Sequence, residues 1–280
     1  MTNLLAGIRA EFTKVLTTRL WWLLAIVLFL YIGVLAGGLG ALFGAISTGA
    51  LASSRGAGGA GGAGGAAAFQ NLAPLVYSFA TSVGYVFPLL LGALATTGEF
   101  RHQTLTPTFL TNPRRGQVLG AKTASTLVVG AAYGVVALVA AVGIGAIVLS
   151  AMGIDTALGE GTTWALVGRS ILAMALWALI GVGLGTLVPN QVATIIIVLA
   201  FTQFVEPLLR LASSFTDVTA ALGKFLPGAA SDGLVGSSFF TISSPASGVL
   251  DWWQGGLVLA GYAVAFTLAG YFTSWRKDVT

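Results

Sequence analysis

Six apolar stretches, most of them 20 residues or longer, take up most of this chain. Their length is the main constraint, because about 20 apolar residues wound as a helix cover about 30 Å of hydrocarbon. The windows are Leu20–Ile46, Ala73–Thr97, Gly120–Met152, Thr163–Val188, Gln191–Leu211 and Trp252–Ser274. Barrel strands need about 10 residues with strict alternation, and these runs are too long and lack it. The expected fold is an all-α integral membrane protein with six transmembrane helices. Charged residues make up 8% of the chain and mean hydropathy is +0.92, against about 25% charge in a soluble domain. No water-soluble catalytic domain fits beside the six runs.

Orientation follows from Lys and Arg, which stay on the cytoplasmic side of short loops. With the N-terminus inside, nine of them fall inside (Arg9, Lys14, Arg19, Arg101, Arg114, Arg115, Lys122, Arg276 and Lys277) and four outside (Arg55, Arg169, Arg210 and Lys224). The expectation is N-in, C-in. The net charge of +4 then belongs to inside-facing loops, with no nucleic-acid patch. The first run exceeds the about 7–15 residues of a signal-peptide core and reads as an uncleaved anchor. The chain has no cysteine and one histidine, His102, which excludes disulfides, thiolate metal sites and a multi-histidine centre.

Residues 1–19 place Leu4, Leu5, Ile8, Phe12, Val15 and Leu16 at helical spacing, with Asn3, Arg9, Thr13 and Lys14 elsewhere on the wheel. That pattern predicts an amphipathic helix in the inner interface, followed by Trp21 and Trp22 at an aromatic belt. The glycine-rich stretch 53–68 satisfies phosphate-loop spacings only through abundance of glycine. It lacks the strand, the following helix and the Lys-Ser/Thr that such a loop needs, and reads as an external linker. Small residues four apart (Gly33 with Gly37, Gly40 with Gly44, Gly130 with Gly134, Gly181 with Gly185) let helices approach closely. Packing within the chain is preferred here over a subunit seam. The segment 212–251 is the longest external connection, and its apolar Phe225–Val235 portion suits a short helix re-entering the outer leaflet.

The most informative loop is 98–119, preceded by Thr97. It joins an acid and bases at the membrane edge (Glu99, Arg101, His102), a threonine-rich piece (Thr104, Leu105, Phe109, Leu110) and a basic turn (Arg114, Arg115). Such a segment suits a groove on a cytosolic partner, with Phe109 and Leu110 as apolar anchors and the arginines orienting it. An ordinary positive-inside loop is the competing reading. The order Glu11-Phe-Thr-Lys-Val-Leu-Thr-Thr-Arg19, then Trp21-Trp22, then Gly98-Glu-Phe-Arg-His-Gln-Thr-Leu-Thr-Pro-Thr-Phe-Leu110, with Leu226–Ala230 before the last run, resembles the membrane subunit of an ABC-2-type ATP-binding-cassette exporter.

That resemblance implies a permease in the cytoplasmic membrane, paired with a second identical or related permease and with two ABC ATPase subunits. Loop 98–119 would be the coupling segment and Glu99 part of the adjoining relay. ATP and Mg²⁺ would bind the partner, because this chain carries no Walker A motif. The second and fifth helices would line the pathway. On them, Ser78, Ser82 and Tyr85 share one face, as do Thr194 and Thr202 with Gln203 beside them. Such hydroxyls and an amide on apolar walls suit a hydrophobic or amphipathic cargo such as a lipid, a peptide or a drug-like molecule, although Ser and Thr also bond to their own helix carbonyls. Glu206 and Arg210, four residues apart, read as an outer gate or as a salt bridge; a bare bridge predicts that exchanging the two charges preserves function.

Two other classes stay open on the residues alone. An ion-coupled secondary transporter would use Glu206 as its coupling acid, but such groups usually lie near the midplane. A non-transporting anchor or sensor for an ATPase partner would use the same loop. Catalysis by this chain is not expected, since neither a Gly-x-Ser-x-Gly elbow nor a His-Glu-x-x-His motif is present.

Overall fold

The computed structural model describes residues 4–49, 72–213, 215–238 and 249–276. The expected linker 53–68, together with Arg55 and Lys277, lies outside the described residues. Helix α1 (Leu4–Thr17) precedes α2 (Leu20–Ser47), the first span. The second span is α3 (Leu72–Ser82) and α4 (Val86–Arg101), followed by the short α5 (Leu105–Thr111). Spans three and four are α6 (Arg115–Ala151) and α7 (Gly161–Leu187). The fifth is α8 (Gln191–Ala200), a wide π-turn (Phe201–Val205) and α9 (Glu206–Ser213). After α10 (Asp217–Gly223) and α11 (Pro227–Val235), α12 (Trp252–Gly270) and a π-turn (Tyr271–Trp275) form the sixth. The described residues contain no strand, and six helical segments are long and apolar enough to cross a bilayer. The protein is all-α and has the build of a multi-pass membrane protein.

The largest departures from the expected spans are at the end that carries Arg19, Arg101 and Arg115, the basic end. There α4 continues to Arg101 and α6 begins at Arg115. Apolar windows detect only the stretch that hydrocarbon requires, whereas a backbone ladder runs on into polar sequence until something stops it.

Proline breaks two spans. Pro88 has no N–H to offer the Gly84 carbonyl, which accepts from Phe87 N–H at 3.1 Å instead, and the helix opens over residues 83–85. Pro207 likewise removes the donor for the Gln203 carbonyl, and the wide turn Phe201–Val205 precedes it. The two breaks meet: the Tyr85 hydroxyl donates to the Thr202 carbonyl at 3.4 Å.

Packing centres on α7, the most buried span, which contacts α3, α4, α6, α11 and α12. Its contact with α4 is backbone on backbone. A Cβ at Gly92 would lie 2.1 Å from the Ala178 carbonyl oxygen, and one at Gly181 the same distance from that of Leu89. The other small pairs also seat neighbours within the chain: Gly130 and Gly134 face α7, Gly33 and Gly37 face Ile144, Gly40 faces Val76 and Gly44 faces Met152. These seams are therefore internal. The main core includes Leu28, Ile32, Tyr77, Leu89, Tyr133 and Trp177; a smaller one at the basic end joins Leu105, Val118, Leu119, Val182 and Trp275.

Gly181→Ala is expected to destabilise the bundle by about 1–3 kcal/mol through overpacking, whereas Gly261→Ala, with open space around it, should be neutral or stabilising by up to about 1 kcal/mol. Thermal unfolding of both variants in detergent checks the contrast; equal midpoints would refute the backbone-contact account.

Candidate functional site

At the basic end four charged side chains from three elements close into one cluster. Lys14 Nζ lies 2.6 Å from Glu11 Oε1 and 2.8 Å from Glu99 Oε1, and Lys122 Nζ lies 2.5 Å from Glu11 Oε2 and 3.1 Å from Glu99 Oε1. Lys122 also donates to the Ala95 carbonyl at 3.3 Å. Lys122, Glu11 and Glu99 are buried, while Lys14 is partly exposed. Two acids against two bases leave no net charge, so burial is tolerated while all four remain. The cluster pins α1 to the ends of α4 and α6. It borders a cleft of about 480 Å³ walled by Val15, Trp21, Leu91, Leu94, Glu99 and Gln191.

Burial alone would raise the Glu11 carboxyl, but Lys122 and Lys14 outweigh it and hold the group below its ordinary 4.5. Burial pulls Lys14 down, but Glu99 and Glu11 outweigh that and hold it above its ordinary 10.5. A depressed acid stabilises above its unfolded pKa and loses that contribution as pH falls; a raised base stabilises below its unfolded pKa and loses it as pH rises.

The loop expected to be a docking segment carries the short helix α5. Leu105 is buried in the small core, and the Phe109 ring packs edge-on against Trp275 at 5.7 Å with the Arg115 guanidinium 5.0 Å from its centre. Arg115 donates to the Arg276 carbonyl at 2.6 Å, and the Trp275 indole donates to the Arg115 carbonyl at 3.1 Å. Phe109 is therefore a part of the bundle's own packing. Leu110 is 82% exposed and, with Pro107, is an apolar group of this helix left on the surface. Around it, Arg101, His102, Thr104 and Arg114 are exposed, with Arg101 reaching Gln191 Oε1 at 3.2 Å.

At the opposite end a second ionic group ties α9 to α11. Arg210 Nη2 lies 3.2 Å from Glu206 Oε1, and Arg210 Nη1 lies 2.6 Å from Asp232 Oδ2. Glu206 Oε1 also accepts the Gly228 N–H at 2.5 Å, so the carboxylate meets the start of α11, where Pro227 presets the first turn. A Cβ at Gly228 would lie 2.2 Å from that same oxygen, which is why a glycine stands there. The salt bridge is thus a three-membered group. Beside it, between the breaks of the second and fifth spans, lies a cavity of about 150 Å³ lined by Ser82, Tyr85, Thr202, Gln203, Glu206 and Arg210.

Of the six residues expected along a pathway, Ser82, Tyr85, Thr202 and Gln203 come together at this cavity. Ser78 and Thr194 do not. Ser78 is fully buried and donates to the Leu75 carbonyl at 2.7 Å, and Thr194 donates to the Val188 carbonyl at 2.7 Å. Thr202 donates to Val198 O at 2.8 Å. Sequence reasoning missed the roles of Glu11, Lys122 and Asp232. A signal existed for each: Glu11 falls on the apolar stripe of Ile8 and Val15, Lys122 sits in an otherwise apolar window, and Asp232 lies inside Phe225–Val235. Among the described residues no group of three or more His, Cys, Asp or Glu side chains is arranged to hold a metal ion.

No protein-family model and no curated protein matches this chain.

A spin label at Ala6→Cys, clean because the chain has no cysteine, should report α1 as immobilised across a plateau. Mobility should rise as pH falls below about 4.5 and as it rises above about 10.5; a midpoint near neutrality would exclude the cluster as the tether. Exchanging the charges of the second group, Glu206→Arg with Arg210→Glu, should not restore stability. Glu at 210 would face Asp232, and Arg at 206 cannot accept from Gly228. The loss should be about 3–5 kcal/mol, read as thermal midpoint and recovery of folded protein. Rescue by the double change would reduce the group to an isolated pair.

Proposed function

We propose that the chain is the membrane-spanning permease subunit of an ATP-driven ABC exporter of the ABC-2 type, moving a hydrophobic or amphipathic cargo out of the cytoplasm. In this reading it lies N-in, C-in in the cytoplasmic membrane, with α1 as an interfacial elbow. Two such permeases, identical or related, sit on two ATPase subunits that bind ATP and Mg²⁺. The observation that supports it best is the basic end. The helix α5 is braced from behind by Leu105 and Phe109 and presents Leu110 outward among Arg101, Thr104 and Arg114. A braced helix with an exposed leucine and a basic rim suits a cleft in a cytosolic protein.

Force applied at α5 has a mechanical route into the bundle. The small core joins α5 to α6, α7 and the end of the sixth span, and the Glu11–Lys14–Glu99–Lys122 cluster joins α1, α4 and α6. A push there reaches the proline breaks of the second and fifth spans, where Ser82, Tyr85, Thr202 and Gln203 face a cavity. Rocking of helices about such breaks is a recognised form of alternating access. Glu206 and Arg210 would act as the outer gate.

A mild-detergent pull-down should recover a stoichiometric nucleotide-binding subunit with vanadate-sensitive hydrolysis. Leu110→Asp should lower its retention about tenfold or more, as expected for an apolar hot spot, without shifting the thermal midpoint, whereas Phe109→Asp should lower that midpoint. Recovery of the chain alone would favour ion-coupled transport or an anchor. Full retention by Leu110→Asp would move the docking surface elsewhere.

A further inference from the structure

The geometry at the outer cavity points to a binding site for a small alkylammonium group, held by the Glu206 carboxylate. Glu206 is 1% exposed, and its two oxygens are used unequally. Oε1 accepts from Arg210 Nε at 3.3 Å, from Arg210 Nη2 at 3.2 Å and from Gly228 N–H at 2.5 Å. Oε2 is buried and has no hydrogen-bond partner. A buried carboxylate oxygen without a donor forfeits about 1–3 kcal/mol or more, so this side of the group is built at a cost that a ligand would offset.

Charge selects the ligand. Glu206 and Asp232 both contact Arg210, two carboxylates to one guanidinium. Arg210 gives Nη1 to Asp232 at 2.6 Å, its shortest contact in the group, and this matches one negative charge with one positive. The second carboxylate is the surplus, and a cation on the cavity side of Glu206 would balance it. Tyr85 lines the cavity, and its ring is stacked on Trp177 at 4.3 Å; an aromatic residue beside a carboxylate is how ammonium groups are held. A metal ion is less suited, because Glu206 supplies a single uncommitted carboxylate oxygen and no group of three or more acidic or histidine ligands is arranged around it among the described residues.

Size narrows the class. A cavity of about 150 Å³ takes a guest of about benzene size, which a trimethylammonium or short alkylammonium head matches and a large fused cation does not. The exposed apolar side chains Phe204 and Leu208 lie on the same span, so an apolar tail could leave the head in the cavity and lie along the helix. This site becomes the cargo site only if the exporter reading holds; binding itself needs no ATPase.

The test uses the purified full chain in dodecyl maltoside, which contains no ammonium group. Radiolabelled choline is followed by equilibrium dialysis, with 3,3-dimethylbutan-1-ol, its uncharged shape mimic, as competitor. The expected result is saturable choline binding at one per chain that the neutral mimic does not displace. Glu206→Gln should weaken it about tenfold or more. That variant keeps an acceptor for Gly228 and leaves Arg210 and Asp232 as a one-to-one pair, so its thermal midpoint should not fall. The wild-type comparison stands even if the variant misfolds. Absence of choline binding up to about 10 mM, displacement by the neutral mimic, or unchanged affinity in a folded Glu206→Gln protein would each overturn the site. Choline binding without an ATPase in the pull-down would sink the exporter reading and leave the site intact, and the reverse result would do the opposite.

Discussion

Helices in a bilayer gain little from burying apolar side chains against one another, because lipid tails are as apolar as leucine; they hold together by close packing and by polar contacts that lipid cannot supply. The contact of α4 with α7 meets the first condition. Gly92 and Gly181 bring two backbones so near that a methyl group at either would collide with a carbonyl oxygen. This seam seats the second span against the most buried of the six spans, and both polar clusters are arranged along that second span. Glu99 stands at its basic end, and Tyr85 at its break contacts the carbonyl of Thr202 beside the Glu206–Arg210–Asp232 group.

The two ionic groups are built differently. The one at the basic end is balanced, two acids and two bases, and each member has an opposite charge within 3.1 Å. It works as a tether, and it sets α1 across the ends of two spans. The one at the opposite end has two carboxylates on one guanidinium and stands beside a cavity between the two proline breaks. Two carboxylates sharing one guanidinium inside an apolar bundle are costly to bury, and such a group is the kind of feature that function retains. Broken helices serve the same end, because the backbone groups they release are tolerated where they line a cavity.

Much of the architecture could be read from the residues. Six apolar windows gave six helical spans, because hydrocarbon thickness dictates helix length. The small-residue pairs were read as internal packing, which is what Gly33, Gly130 and Gly181 do. The packing of loop 98–119 was read only in part. Leu110 is exposed, but Phe109 turns inward onto Trp275, a residue over 160 positions away, and no local pattern records that neighbour. Ser78 and Thr194 were grouped with the pathway by helical spacing, yet spacing fixes only a face, and their hydroxyls turn to their own backbone.

What the sequence by itself determined is the class of structure: a helical chain, the number of its spans, and the prolines at which a backbone donor is missing. These follow from local rules, since each helix satisfies its own backbone and each proline removes its own donor. Beyond the local pairs Glu206–Arg210 and Glu11–Lys14, tertiary structure decided which charges meet. Lys122 finds Glu11 across 111 positions and Arg210 finds Asp232 across 22, because burial in a medium that cannot solvate them leaves each charge only the partners that folding brings within reach.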